Sequence, residues 1–212
     1  MLATTGCVGF EPHEGVGFCG DMAGTSTPPP DQAMPTATAK CAAAKGLSGD
    51  NLLCVDFDKV TALTDPALAG WNFNASTPCP GWQISNGALQ VQNFGSFMGN
   101  CGLTLPPIDL KQADKQKYQR VTLALVHRVD MSDPDQNAQV FLDLDLATRL
   151  IHQSTAKPGI PTLTTTTLTV AKPDLPMALN SVYKFFLKAS SGAAGGRQGW
   201  QIQSIAVNGL TQ

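Results

Sequence analysis

Glutamate is nearly missing from this chain. Of its sixteen acidic residues only Glu11 and Glu14 are glutamates, both near the N-terminus. Chemistry that needs a pair of carboxylic acids would therefore fall to aspartates beyond residue 14. Charge of either sign is sparse, at 14% of residues with a net charge of -2. The fourteen Lys and Arg are scattered, and the densest group, Lys111 to Lys117, contains Asp114. No concentrated cationic face emerges, which excludes the usual basis for nucleic-acid binding. No apolar run approaches the roughly 18 residues of a transmembrane helix. A Gly-x-Ser-x-Gly elbow is lacking, and Gly192–Gly196 has neither the Lys-Ser/Thr pair nor the following helix of a phosphate loop.

Six cysteines are present, at Cys7, Cys19, Cys41, Cys54, Cys79 and Cys101, with no Cys-x-x-Cys pair and no nearby histidine cluster. That pattern argues for disulfides over a zinc site, and so for an exported protein. Closing short loops costs least, so the expected pairs are Cys7–Cys19, Cys41–Cys54 and Cys79–Cys101. Met1–Gly6 has no positive n-region and no apolar h-region, so it is not a signal peptide. The run Leu2-Ala-Thr-Thr-Gly-Cys7 resembles the small residues before a bacterial lipoprotein cysteine, with Thr4 where leucine is expected. An extracellular or cell-surface location follows, lipid-anchored if the gene start lies upstream.

Residues 1–50 read as a flexible arm, because Gly24–Pro30 and Met34–Ala39 are rich in Pro, Thr and Ala and bury little. Cys41–Gly46 reads as one helical turn stopped by Gly46. Residues 51–212 carry the punctuation of an all-β domain. Apolar and polar residues alternate through Tyr118–Gln153, with Val121, Leu123, Leu125 and Val129 on one parity and Val140, Leu142, Leu144 and Leu146 on another run's inner face. A period of two is the mark of half-buried antiparallel strands. Asn86-Gly87 between Gly81–Ser85 and Ala88–Gln92 signals a hairpin with a type I′ turn. Strands are expected at 53–57 and 70–74 and near 101–105, 118–130, 138–146, 149–153, 162–170, 182–190 and 199–207. With no helix between them, these elements predict an antiparallel two-sheet sandwich of jelly-roll type.

The order Val55-Asp-Phe-Asp58, Trp71, then Gly81-Trp-Gln-Ile-Ser-Asn-Gly-Ala-Leu89 and a long alternating strand resembles concanavalin A-like (laminin G-like) jelly-roll domains of secreted bacterial proteins, over about residues 52–210. The resemblance implies carbohydrate binding, glycan hydrolysis, or adhesion and sensing. The Glu-x-Asp-x-x-Glu strand motif of its glycan-cleaving members is missing.

Asp143 and Asp145 share one strand face, with Cα atoms about 6.6 Å apart. Three uses fit them: a solvated outer face, a calcium or ligand contact, or an unconventional hydrolytic pair. Phe141 shares that face and, with Arg128 and the tryptophan Trp71, completes the expected ligand set of Trp71, Arg128, Phe141, Asp143 and Asp145. Trp82 and Trp200 share parity with Ile84 and Ile202 and read as core, as does His127 beside Leu125 and Val129. The expected role is non-enzymatic binding of a polysaccharide or surface glycan, with no cofactor beyond calcium. An Asp-pair hydrolase and a purely structural envelope module are the alternatives.

Overall fold

The computed structural model describes residues 41–73, 79–92, 98–110, 112, 114–131, 136–143, 148–155, 162–171, 182–191 and 199–211. Eleven strands are described: β1 Asp50–Asp56, β2 Trp82–Ser85, β3 Ala88–Val91, β4 Gly99–Thr104, β5 Ile108–Asp109, β6 Arg120–Asp130, β7 Asn137–Asp143, β8 Thr148–Thr155, β9 Leu163–Ala171, β10 Val182–Ser191 and β11 Gly199–Leu210. They form two sheets. The six-stranded sheet runs β2-β3-β11-β6-β9, with β1 also paired to β11. The five-stranded sheet runs β4-β10-β7-β8, with β5 also paired to β10.

Every strand pairing is antiparallel. From β6 onward the chain crosses repeatedly between the sheets, as a jelly roll does. The sandwich predicted from the alternation is thus present.

Its centre is the pairing of the two longest strands, β6 and β11. Val121, Leu123 and Leu125 point inward from β6 and are fully buried, facing Val140, Leu142, Phe185 and Leu187 from the other sheet. The even residues of β6 would be solvated on a two-layer sandwich, yet Ala124 and Val126 are buried too. A 3-10 turn at Ala42–Ala44 covers them, and Cys41, Ala43, Ala44 and Ala206 complete this second apolar cluster. The turn at Cys41–Gly46 was read from the sequence; its packing was not. Residues 41–50 lay within the expected arm, and Ala43 and Ala44 are instead among the most buried residues described. Small side chains let the backbone of the turn lie close on the sheet.

Cys41–Cys54 pins this turn to β1, and Cys79–Cys101 ties the segment before β2 to β4 in the other sheet. Both are pairs expected from loop length; Cys7–Cys19 lies outside the described residues. The expected strand at 70–74 is reduced to a single bridge between Asn72 and Thr104, because a 3-10 turn at Pro66–Leu68 leads into it and Trp71 turns inward. Ile108–Asp109 pairs with β10 just after Pro106 and Pro107, at the sheet edge where prolines are tolerated.

Asn86 and Gly87 both have positive φ, 52° and 70°, and Trp82 faces Val91 while Ile84 faces Leu89. A β-branched residue held at positive φ is strained, so Gly87→Val is expected to cost on the order of 1–3 kcal/mol. Thermal melting checks this, and an unshifted midpoint would contradict a tight two-residue turn.

Candidate functional site

In the five-stranded sheet the pleat assigns each side chain to a face. Ala138, Val140 and Leu142 of β7 and Tyr183, Phe185 and Leu187 of β10 are buried against the other sheet. Their alternates point outward: Asn137, Gln139, Phe141 and Asp143 from β7, and Lys184, Phe186, Lys188 and Ser190 from β10. The register places Phe186 opposite Phe141, Lys184 opposite Asp143, and Lys188 opposite Gln139. On the flanks, β4 sets Thr104 beside Phe186 and Asn100 beside Ser190, while β8 sets Leu150 beside Phe141 and Gln153 beside Gln139.

The result is an apolar centre framed by amides, hydroxyls and charge. The Phe141 and Phe186 rings lie 5.9 Å apart with their planes tilted by 43°. Leu150, next to Phe141, is 45% exposed, which is uncommon for a large aliphatic side chain on a strand. Gln139 Nε2 donates to Gln153 Oε1 at 2.9 Å, and Ser190 Oγ donates to Asn100 Oδ1 at 2.7 Å. Such pairs hold amide and hydroxyl groups in fixed directions.

Of the five residues expected to bind ligand, the structure brings Phe141 and Asp143 together on this face. Asp145 lies outside the described residues. Arg128 sits on the outer face of the six-stranded sheet, where its β6 position falls between Gln201 and Leu163. Trp71 is 8% exposed, packed edge-on to Phe57 at 6.0 Å and stacked with Phe73 at 6.3 Å. No open indole face is presented there, since an indole gains more from burial in the core than a loop position could offer in water.

The aromatic that sequence reasoning missed is Phe186. Its signal was present: in Lys184-Phe-Phe-Leu-Lys188 it shares parity with two lysines, so it belongs to a polar face. Gln139, Gln153 and Asn100 carried no comparable signal, because polar residues on outward parity are the ordinary case.

Two described aspartates, Asp109 and Asp143, border this face. Asp109 of β5 faces Val182 and Asp143 faces Lys184, so the two acids flank β10 from opposite sides and are offset along it. Two strand spacings and a two-residue step put their Cα atoms about 11–12 Å apart. No cluster of three or more His, Cys, Asp or Glu able to hold a metal ion occurs among the described residues.

Between the sheets, His127 is 3% exposed and its Nδ1 accepts from Trp200 Nε1 at 3.0 Å. An indole N–H can only donate, so Nδ1 is unprotonated and Nε2 carries the proton toward Thr166 Oγ1 at 2.7 Å. Burial, with a smaller contribution from the neighbouring His152, pushes the His127 pKa down to about 4. This histidine is a neutral, hydrogen-bonded core residue with no outlet to the open face.

No family model matches the chain, and no curated protein matches it. Among solved structures, it is similar to the carbohydrate recognition domain of Emp47p at 13% identity and TM-score 0.44, over 73% of this chain and 94% of that one. A xylan-binding module, CBM15, shares 15% identity at TM-score 0.40, over 74% and 97% of the two chains. A carbohydrate-binding module of Cellvibrio mixtus lichenase 5A, solved with cellotriose, shares 14% identity at TM-score 0.34, over 76% and 98%. At such identities and scores the site has to be read from its own side chains.

Proposed function

We propose that the outer face of the five-stranded sheet binds a polysaccharide without cleaving it. The observation that carries this reading is the Phe141–Phe186 pair at the centre of an amide- and hydroxyl-lined sheet. Sugar rings have an apolar C–H face and a hydroxyl rim, and this surface offers the complement of both. An open sheet face admits a chain at any point along its length, whereas a closed pocket would admit only an end. The concanavalin A-like family would house such a face.

The test is a microarray of neutral and acidic polysaccharides, followed by titration of the best binder. Phe141→Ala and Phe186→Ala are each expected to weaken binding at least tenfold with little change in melting. Arg128→Ala, on the opposite sheet, should leave it unchanged. Absence of binding to every polysaccharide, or undiminished binding by both phenylalanine variants, would refute the reading.

An extracellular or cell-surface location is part of the same proposal. Its support is the pair of disulfides within the described fold, which persist in oxidising compartments. Non-reducing peptide mapping of protein purified from its native source should recover Cys41–Cys54 and Cys79–Cys101 as linked peptides. Recovery of these four as free thiols would return the protein to a reducing compartment.

A further inference from the structure

We propose that the protein forms a twofold dimer by antiparallel pairing of β9 with β9 of a second copy. Strand β9, Leu163–Ala171, ends the six-stranded sheet, and among the described residues only β6 pairs with it. An unpaired strand edge presents a row of backbone N–H and C=O groups, a template for another strand. Edges in soluble proteins are normally blunted by charge, proline, a bulge or shortness. β9 has none of these. Its nine residues contain no Asp, Glu, Lys, Arg, Pro or Gly, and its register against β6 is unbroken throughout.

The other edges differ. β2 has four residues and β5 two. β4 contains Gly99 and Gly102 and is bridged by Asn72 at Thr104. β1 carries Asp50 and Asp56, and its register with β11 shifts between Asn51 and Leu53. β8 carries Arg149 and His152, and its register with β7 shifts between Val140 and Phe141.

The strand is also self-complementary. Full antiparallel overlap of two copies centres on Thr167 and sets Thr165 opposite the partner copy's Thr169. The outward residues Thr165, Thr167 and Thr169 are all exposed, so three Thr–Thr cross-strand pairs form on one face. Leu163, 47% exposed, lies at each end of the seam. A slot of about 220 Å³ between β8 and β9, lined in part by Leu142, Ile151, Leu168 and Val170, lies along the same flank. The twofold axis stands perpendicular to the sheet, so both five-stranded outer faces point to the same side of the dimer.

Sedimentation equilibrium of the full chain over a range of concentrations tests this. The wild type is expected to show a reversible dimer. Thr167→Lys places two ammonium groups on the axis and Thr167→Asp two carboxylates, so each variant alone is expected to be monomeric, with wild-type melting because the site is exposed. An equimolar mixture of the two should recover the dimer through a Lys–Asp pair. A monomeric wild type at all concentrations, a dimer surviving Thr167→Lys, or a mixture that stays monomeric would each overturn the proposal.

Discussion

Replacing Cys79 and Cys101 by serine is expected to lower the folding free energy by about 3 kcal/mol. The bridge spans a sequence separation of 22, and confining a loop of that size in the unfolded chain accounts for a value near this. The structural consequence is local as well. Cys101 is fully buried in β4, and Gly81 N donates to Cys79 Sγ at 3.2 Å, just before the β2–β3 hairpin. Nearby, Trp82 Nε1 donates to the Gly102 carbonyl at 2.8 Å, a second tie between the sheets that survives the substitution. The double-serine variant is therefore expected to remain folded at 25 °C with a lower denaturant midpoint and a somewhat steeper slope, because the unfolded chain without the cross-link exposes more surface. A midpoint equal to wild type would mean that the bridge contributes nothing beyond the core it joins.

Acidification is expected to cost a similar amount through His127. A histidine titrates near 6.5 in an unfolded chain and near 4 here. Between those values the unfolded state binds the proton that the folded state refuses, so stability rises with pH across this window. The contribution is fully present above pH 6.5 and is lost as pH falls towards 4, amounting to about 3 kcal/mol. His152, also held below its usual value by burial, adds to the loss in the same direction. Asp50 acts at lower pH, since its bonds to Lys117 and Tyr118 depress its carboxyl from an already low starting value.

Denaturant unfolding at pH 7, 5.5 and 4 measures the loss. His127→Gln isolates its source, because the glutamine carbonyl can accept from Trp200 and its amide can donate to Thr166 without titrating. The variant should show a much flatter profile. An equally steep profile in wild type and variant would move the cause elsewhere.

Much of this architecture follows from local sequence, and the reason is periodic. Alternation along β6, β7 and β10 assigns each residue to a face without reference to any partner, so the sandwich, the buried Trp82, Trp200 and His127, and the outward Phe141 and Asp143 were readable from one chain. The Asn86-Gly87 turn and the two described disulfides were readable for the same reason, since each depends on a few residues or on the short loop between two cysteines. Parity says which way a side chain points; it does not say which sheet its strand joins. That is why Arg128 and Asp143, both on outward parities, were grouped as one site although they lie on opposite faces of the molecule. Trp71 was misplaced because its segment makes one bridge and no strand, leaving no period to read. Phe186 became a neighbour of Phe141 only through the β7–β10 register, and the Cys41–Leu47 cover over Ala124 and Val126 only through a long-range contact. Face and turn are decided by steric rules acting over a few residues, whereas adjacency across a sandwich is decided by which distant strands bury the most surface together.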